Sequence, residues 1–489
     1  MTQWKQGVLA LIVAGALLAA LLVQFLHGAP GKRLDLVLEI GDFDAFYCAG
    51  LVARSGGDPY KLAPLAACQS DRVDTPGGIP YAQRGIDPAP LPTYDLALFA
   101  PFSLLGYRAA GLLWTALLAA ALFGSAEVLR RVCAIPFWAT LAILGTGDGI
   151  SCLAYGQEQP LVTLALSAAA LLLRAGRTSA AVAAASVSLI EPHVGLPVML
   201  ALFFWTRARL PVAVCAGFFV VVALAFGGLS LNAEYFGRVL PAHAFSEISY
   251  PIQYSLTALL SAFGASDTLA LKLASAQYAL TMAFAVAVAG PLGRRIGAPA
   301  IVLFPAACAV LGGTFIHLFQ ISSALPFALY VAGCVPEFAA LGWASAALIA
   351  LPWPGYGPQR EYLILDAAIV TAAMLGTGSL RSKPLRATLA VATVFALYLL
   401  TGIAMKRIPS TPLRPLESPS VVAAAGFDPS LASTQWASEL RTAPPAGVAS
   451  PENLAGRAPT WAGLLLAFGA CAAALRRPAR PGDRTIPSV

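Results

Sequence analysis

Apolar runs long enough to cross a membrane recur along almost the whole chain, separated by short turns rich in arginine, glycine and proline. The first, Gly7 to Leu26, is about 20 residues long and can span a hydrocarbon core of about 30 Å, whereas the apolar stretch of a signal peptide has only about 7–15 residues. It reads as a retained first helix. A second span is expected at Ala109 to Leu129. Others follow near 133–147, 159–173, 178–190, 194–206, 209–229, 269–292, 298–313, 317–334, 338–353, 362–378, 386–405 and 461–475. Several of these have only about 13 to 17 apolar residues, which predicts kinked or partly spanning helices around a cavity. The segment Leu91 to Leu105 is apolar but short and holds Pro92 and Pro101, so it is expected to lie at the interface. The pattern predicts an all-α integral membrane protein, a multi-spanning helical bundle with about 12–14 transmembrane helices.

Two stretches break the rhythm. Residues 28–93 form a long polar loop after the first helix, and residues 406–460 form a second, rich in Pro, Ser and Ala, with an apolar patch at Val421 to Phe427 that could pack on the first loop. The chain therefore divides into a polytopic membrane region (1–405) carrying the first loop, an outer loop (406–460), and a last helix with a basic tail (461–489). No internal repeat, P-loop or GxGxxG motif after a strand is present.

Composition supports the same class. Of 489 residues 58% are hydrophobic and 11% charged, with mean hydropathy +0.74, too little polar surface for a water-soluble fold. The net charge of +7 would suggest nucleic acid in a soluble protein. Here the basic residues fall at alternate span ends, including Arg130, Arg131, Arg174, Arg177, Arg207, Arg209, Arg294 and Arg295, where only Glu127, Glu337 and Asp483 oppose them. That is the positive-inside distribution, and it puts both long loops outside and excludes nucleic acid as a partner. The eight cysteines show no CxxC pair or zinc-like spacing, and Cys48 and Cys68 could form a disulfide if the outer face is oxidising.

The densest carboxylates lie in the first loop and just after it: Asp35, Glu39, Asp42, Asp44, Asp58, Asp71, Asp74, Asp87 and Asp95. A partly desolvated carboxylate binds protons more tightly and can act as a general base near neutral pH. Asp42 and Asp44 diverge by about 200° on a helix, so only one can easily face a cavity. The competing structural reading is a loop Asp capping a helix that begins near Phe43. The histidines, His27, His193, His243 and His317, all fall on the expected outer side, with the cations Arg238, Lys272 and Arg360.

The series GDFDAFYCAG (41–50), GGDPY (56–60), APFSLLGYRAAGLLW (100–114), AYGQEQPLVTLALSAAALLLRAGR (154–177) and SLIEPHVGLPVML (188–200) resembles the polyprenol-phosphate-dependent mannosyltransferases of glycosyltransferase family 87, of the GT-C type. The resemblance covers roughly residues 35 to 335. It implies a GT-C-type membrane bundle in which Asp42, in the DFxxFY pattern, is the catalytic base, with Asp44 as the alternative. Tyr47 belongs to that pattern, and Asp58 and Tyr60 match a second motif that shapes the loop by turn chemistry; the resemblance makes all three candidate substrate-binding residues, with Gln157, Glu191, His193 and His317. Gln157 follows Gly156 at an outer helix start, where its amide would meet a sugar hydroxyl, and His317 would meet the lipid phosphate or the sugar. Glu191 and His193 flank Pro192 where the family commonly carries Lys before Pro, so a carboxylate stands in place of a phosphate-binding cation. The Pro-rich tyrosine segment before the second span is also reduced, to PAPLPTYDLALFAP.

The function implied is transfer of mannose or a related sugar from a polyprenyl-phosphate donor to a glycolipid or glycan hydroxyl. The reaction would run with inversion and no obligatory metal, outside a plasma or inner membrane whose lipids surround the chain. Two other classes remain open at this stage. A transporter or flippase would place ionisable groups near the midplane and show repeated halves, and a noncatalytic homologue would keep the fold alone.

Overall fold

The computed structural model describes residues 8, 12–13, 15–16, 41–70, 86–249, 253–351, 368–374, 377, 426–436 and 457–476. The expected spans at Gly7 to Leu26 and 386–405 lie outside these, except for single residues of the first, and that near 362–378 lies outside except in part. Among the described residues all regular elements are helical, and the only pairings outside helices are two isolated antiparallel bridges, Lys61 with Leu431 and Gln253 with His317. The chain is thus an all-α, multi-spanning membrane protein.

Among the described residues four helices have the length and composition to cross a membrane alone: Tyr107–Cys133, Arg209–Ser246, Asp267–Ile296 and Ala458–Arg476. A fifth arises if Leu318–Cys334 and Pro336–Ala350, bent by 110°, count as one broken span. The other expected spans in the described region form shorter helices. Gln159–Arg174, Thr178–Ile190, Pro192–Trp205 and Ala300–Ala309 each have 10 to 17 residues. The reason is local chemistry. The run expected at 133–147 is a helix only over Phe137–Leu144, before glycines admit a π turn at Gly145–Gly149. The expected 317–334 span splits into Leu318–Ile321, a 3₁₀ turn at Ser322–Ala324 and Leu325–Cys334. Pro92 and Pro101 likewise confine the 91–105 segment to a helix at Thr93–Phe99 and a 3₁₀ turn at Phe102–Leu104.

Tyr107–Cys133 packs on Gln159–Arg174, Ala339–Ala350 on both Ala458–Arg476 and Leu325–Cys334, and Pro192–Trp205 on Ala300–Ala309. Their shared apolar core runs from Leu129 and Leu166 through Phe304 and Phe327 to Trp343, all buried. Leu210, Val214, Phe218 and Val221 on one long helix and Leu273, Leu280 and Phe284 on another remain exposed, as lipid-facing positions must. The basic helix ends gather at one end of the bundle. Arg130 and Arg131 both pair with Glu127 at 2.7 and 2.8 Å, Arg174 donates to the carbonyls of Arg131 and Val132, and the Arg294 guanidinium lies 5.3 Å from the Trp205 ring centroid.

A second core belongs to the first loop. The helix Gly41–Arg54 buries Phe43, Phe46, Tyr47 and Cys48 against Phe99 and Trp114. Phe43 stacks on Tyr107 and Trp114 with ring centroids 5.9 and 6.0 Å away. This helix crosses Thr93–Phe99 so closely at Gly50 that a Cβ there would sit 2.7 Å from the Phe99 carbonyl carbon. Backbone cannot yield as a flexible side chain can, so Gly50→Ala is expected to cost about 1–3 kcal/mol. Thermal unfolding in detergent checks this, and an unchanged midpoint would show that the two helices separate freely. A disulfide joins Cys48 to the next helix, Leu62–Ser70, through Cys68.

Candidate functional site

At the end of the bundle opposite the paired arginines lies a cavity of about 660 Å³. Asp42 borders it from the start of Gly41–Arg54, where the aligned N–H groups of a first helical turn favour a carboxylate. Its position follows from the aromatic cluster beneath. Phe43 is fully buried against Trp114, and the Trp114 indole N–H donates to the Gly156 carbonyl at 2.7 Å. Gly156 ends the Ile150–Tyr155 helix in the left-handed region (φ 75°), which a glycine adopts without a Cβ penalty. That turn aims Gln157 at the cavity, and its side-chain amide donates to Asp42 Oδ2. Burial pushes the Asp42 carboxyl up to about 6, against the opposing effects of the Gln157 hydrogen bond and the charge of His317.

The far wall comes from three turns. Glu191 stands between the helices ending at Ile190 and beginning at Pro192, with His193 Nδ1 3.3 Å from its Oε2. Gln320 Nε2 donates to the same Glu191 oxygen at 3.2 Å, while Gln320 Oε1 accepts the backbone N–H of His317 at 2.8 Å. His317 precedes the helix Leu318–Ile321, and its Nε2 lies 2.8 Å from Glu247 Oε2. Burial disfavours the imidazolium, but the charge and hydrogen bond of Glu247, with the charges of Asp42 and Glu191, outweigh it and raise the proton affinity of His317.

Asp42, Gln157, Glu191, His193 and His317, singled out in the sequence, thus line one cavity. Asp44, Tyr47, Asp58 and Tyr60 are not among its lining residues. Asp44 stands two positions along the same helix, as the angular argument requires. Tyr47 donates its hydroxyl to Leu105 O at 2.8 Å, Tyr60 donates to Leu91 O at 2.7 Å, and Asp58 Oδ1 accepts the Tyr60 N–H at 2.9 Å. For Tyr47, Asp58 and Tyr60, expected as substrate contacts, these bonds hold the loop in shape around the Asp42 helix. Arg238 and Lys272 are exposed and also outside the lining, and His27 and Arg360 lie outside the described residues.

Glu158, His243, Glu247 and Trp436 were not picked out as site residues from the sequence, yet all line the cavity. Glu158 adjoins Gln157, and His243 reads in the sequence only as an outer histidine. Glu247 carried no motif. Trp436 comes from the second long loop, whose described part, 426–436, clasps the first: Lys61 Nζ bonds Asp428 at 2.8 Å and Glu234 at 2.9 Å, and Ala432 N–H donates to Tyr60 O at 3.0 Å. Among the described residues the cavity lining includes no lysine or arginine, and no cluster of His, Cys, Asp and Glu has metal-binding geometry.

A family model, glycosyltransferase family 87, matches residues 92–318, which takes in Gln157, Glu191, His193, Glu247 and His317 and begins after the Asp42 helix. No curated protein and no solved structure matches the chain.

Proposed function

We propose that this chain, a membrane glycosyltransferase of family 87, takes mannose or a related sugar from a polyprenyl-phosphate carrier and passes it to an acceptor hydroxyl on the extracytoplasmic face. The observation that carries the reading is the meeting, in one cavity, of Asp42 with Gln157, Glu191, His193 and His317, residues far apart in the chain. Asp42 accepts the proton of the acceptor hydroxyl as that oxygen bonds to the anomeric carbon. The bond from that carbon to the carrier phosphate breaks on the opposite side, its electron pair leaves with the phosphate, and the sugar is inverted. A carboxyl whose proton affinity is raised toward neutrality suits this task, because it is still ionised at working pH yet takes the proton more readily than an ordinary Asp. Gln157 orients it. His317 meets the departing phosphate, and in this reading no metal is needed because the carrier leaves as an anion stabilised by its own charge and by the ring.

The outer placement is supported by the basic helix ends at the opposite end of the bundle. A cysteine at Arg177 should label only after the inner face is opened, whereas one at Ser430 should react with an impermeant reagent in intact cells. The reverse pattern would move the site to the inside. The chemistry is tested by incubating purified protein with radiolabelled polyprenyl-phosphate sugars and a membrane extract. Absence of label in any product, from protein that remains folded, would sink the reading.

A further inference from the structure

Glu247 is 3% exposed, a costly place for a carboxylate unless donors surround it. They do, and they come from separate parts of the chain. His317 Nε2 lies 2.8 Å from Oε2, Gln253 Nε2 donates to the same oxygen at 3.1 Å, the Trp436 indole donates to Oε1 at 3.2 Å, and His243 Nε2 lies 3.6 Å from Oε1. Gln253 also fixes the backbone on which the histidine sits. Its Oε1 accepts the Ile316 N–H at 2.8 Å, and Tyr254 N–H donates to Ile316 O at 2.7 Å beside the Gln253–His317 bridge. Carboxylate and imidazole are thus braced as one unit.

This unit answers a chemical problem. A phosphate-binding site normally uses lysine or arginine, and among the described residues this cavity has neither in its lining. We propose that Glu247 is a positioning residue: it orients His317 and stabilises the ring in its doubly protonated form, which makes it the cation of a cavity whose described lining holds no lysine or arginine. The proposal rests on the reading above for what that cation meets, and it deepens that reading by naming how the charge is held. The charged and titratable groups facing the ring are Glu247, His243, Asp42, Glu191 and His193. Of these, Glu247 lies within hydrogen-bond reach of the ring, its Oε2 2.8 Å from Nε2. The carboxylate itself stays ionised, down to about 2: burial opposes this, but His317, His243 and Gln253 outweigh burial.

The test is a titration of full-length protein carrying ¹⁵N-histidine, in nanodiscs. With four histidines in the chain, the His317 signal is identified by its loss in His317→Gln. In the wild type the ring should stay charged well above the pH at which a free imidazole, near 6.5, gives up its proton. In Glu247→Gln burial acts against only the charges of Asp42 and Glu191, so the ring should be neutral at pH 7, and Glu247→Asp, which preserves charge and most of the packing, should titrate between the two. The alkaline limb of sugar transfer should move to lower pH in Glu247→Gln, with the donor KM raised about 10- to 100-fold and kcat changed less, the loss expected of a charge-assisted hydrogen bond. A His317 ring that titrates alike in wild type, Glu247→Asp and Glu247→Gln overturns the inference whatever the enzyme transfers. A ring that loses its proton while donor KM and the pH profile hold leaves Glu247 as the group that holds the proton and instead overturns the reading in which His317 meets the donor phosphate.

Discussion

Asp42→Asn lowers sugar transfer by about 10²–10⁴-fold, the usual contribution of a general base, because the amide keeps the shape of the side chain but cannot take the acceptor's proton. In the proposed reaction the carboxylate is the reactive form of Asp42, and burial raises its titration to about 6. Transfer by the wild type therefore falls as the pH drops through about 6, whereas the residual activity of Asp42→Asn lacks that acidic limb. Donor binding survives in the variant, since the base acts on the acceptor. Asp44→Asn costs much less, because Asp44 is not part of the cavity lining. Initial rates across pH, measured for the wild type and both variants at saturating donor, decide the matter. Wild-type turnover in Asp42→Asn with loss in Asp44→Asn would move the base by two residues, and full activity in both would take the first loop out of the chemistry.

Breaking the Cys48–Cys68 disulfide costs about 3 kcal/mol, the chain-entropy value for the 20-residue separation it closes. The loss is local. Cys48 is buried on the helix that carries Asp42, and Cys68 anchors that helix to Leu62–Ser70. Thermal unfolding of a Cys48→Ala, Cys68→Ala double variant in detergent, without reductant, should show an earlier transition for the aromatic cluster of Phe43, Phe99 and Trp114 than in the wild type. Activity should fall with it, since Asp42 is held by Phe43 in that cluster. An unaltered unfolding profile would mean that Trp114, Tyr107 and Gly50 position the helix without help. The bond also bears on sidedness, because such a bridge persists on an oxidising face.

The reading from sequence was strongest where a local rule sufficed. Asp42 stood out because a DFxxFY pattern sits in a carboxylate-rich loop, and the spacing of Asp42 and Asp44 fixed that only one could face inward. Gln157 was found through the Gly156–Gln157 pair, although its amide engages Asp42 where a sugar hydroxyl was expected. For Tyr47 and Tyr60 the sequence carried no sign of the backbone partners, since a motif aromatic facing a substrate and one holding a backbone carbonyl look alike until the carbonyls of Leu105 and Leu91 are placed. Glu247 had no signal at all. Its importance comes from His317, Gln253 and Trp436, which reach it from three later stretches of chain.

By itself, the sequence determined the class of protein, the alternation of basic helix ends, and the loop in which a carboxylate could work, because hydropathy and charge act on each segment separately. The number of true spans was beyond it. Whether a run near 133–147 or 317–334 crosses in one piece depends on how its glycines, prolines and polar turns are satisfied by neighbouring helices, and these runs break where they meet the bundle. The cavity, too, was decided only by the tertiary structure. Four stretches deliver Asp42, Gln157, Glu191 and His317 to one place, and the protonation of Asp42 and His317 is set by burial and by partners that chain order does not bring near.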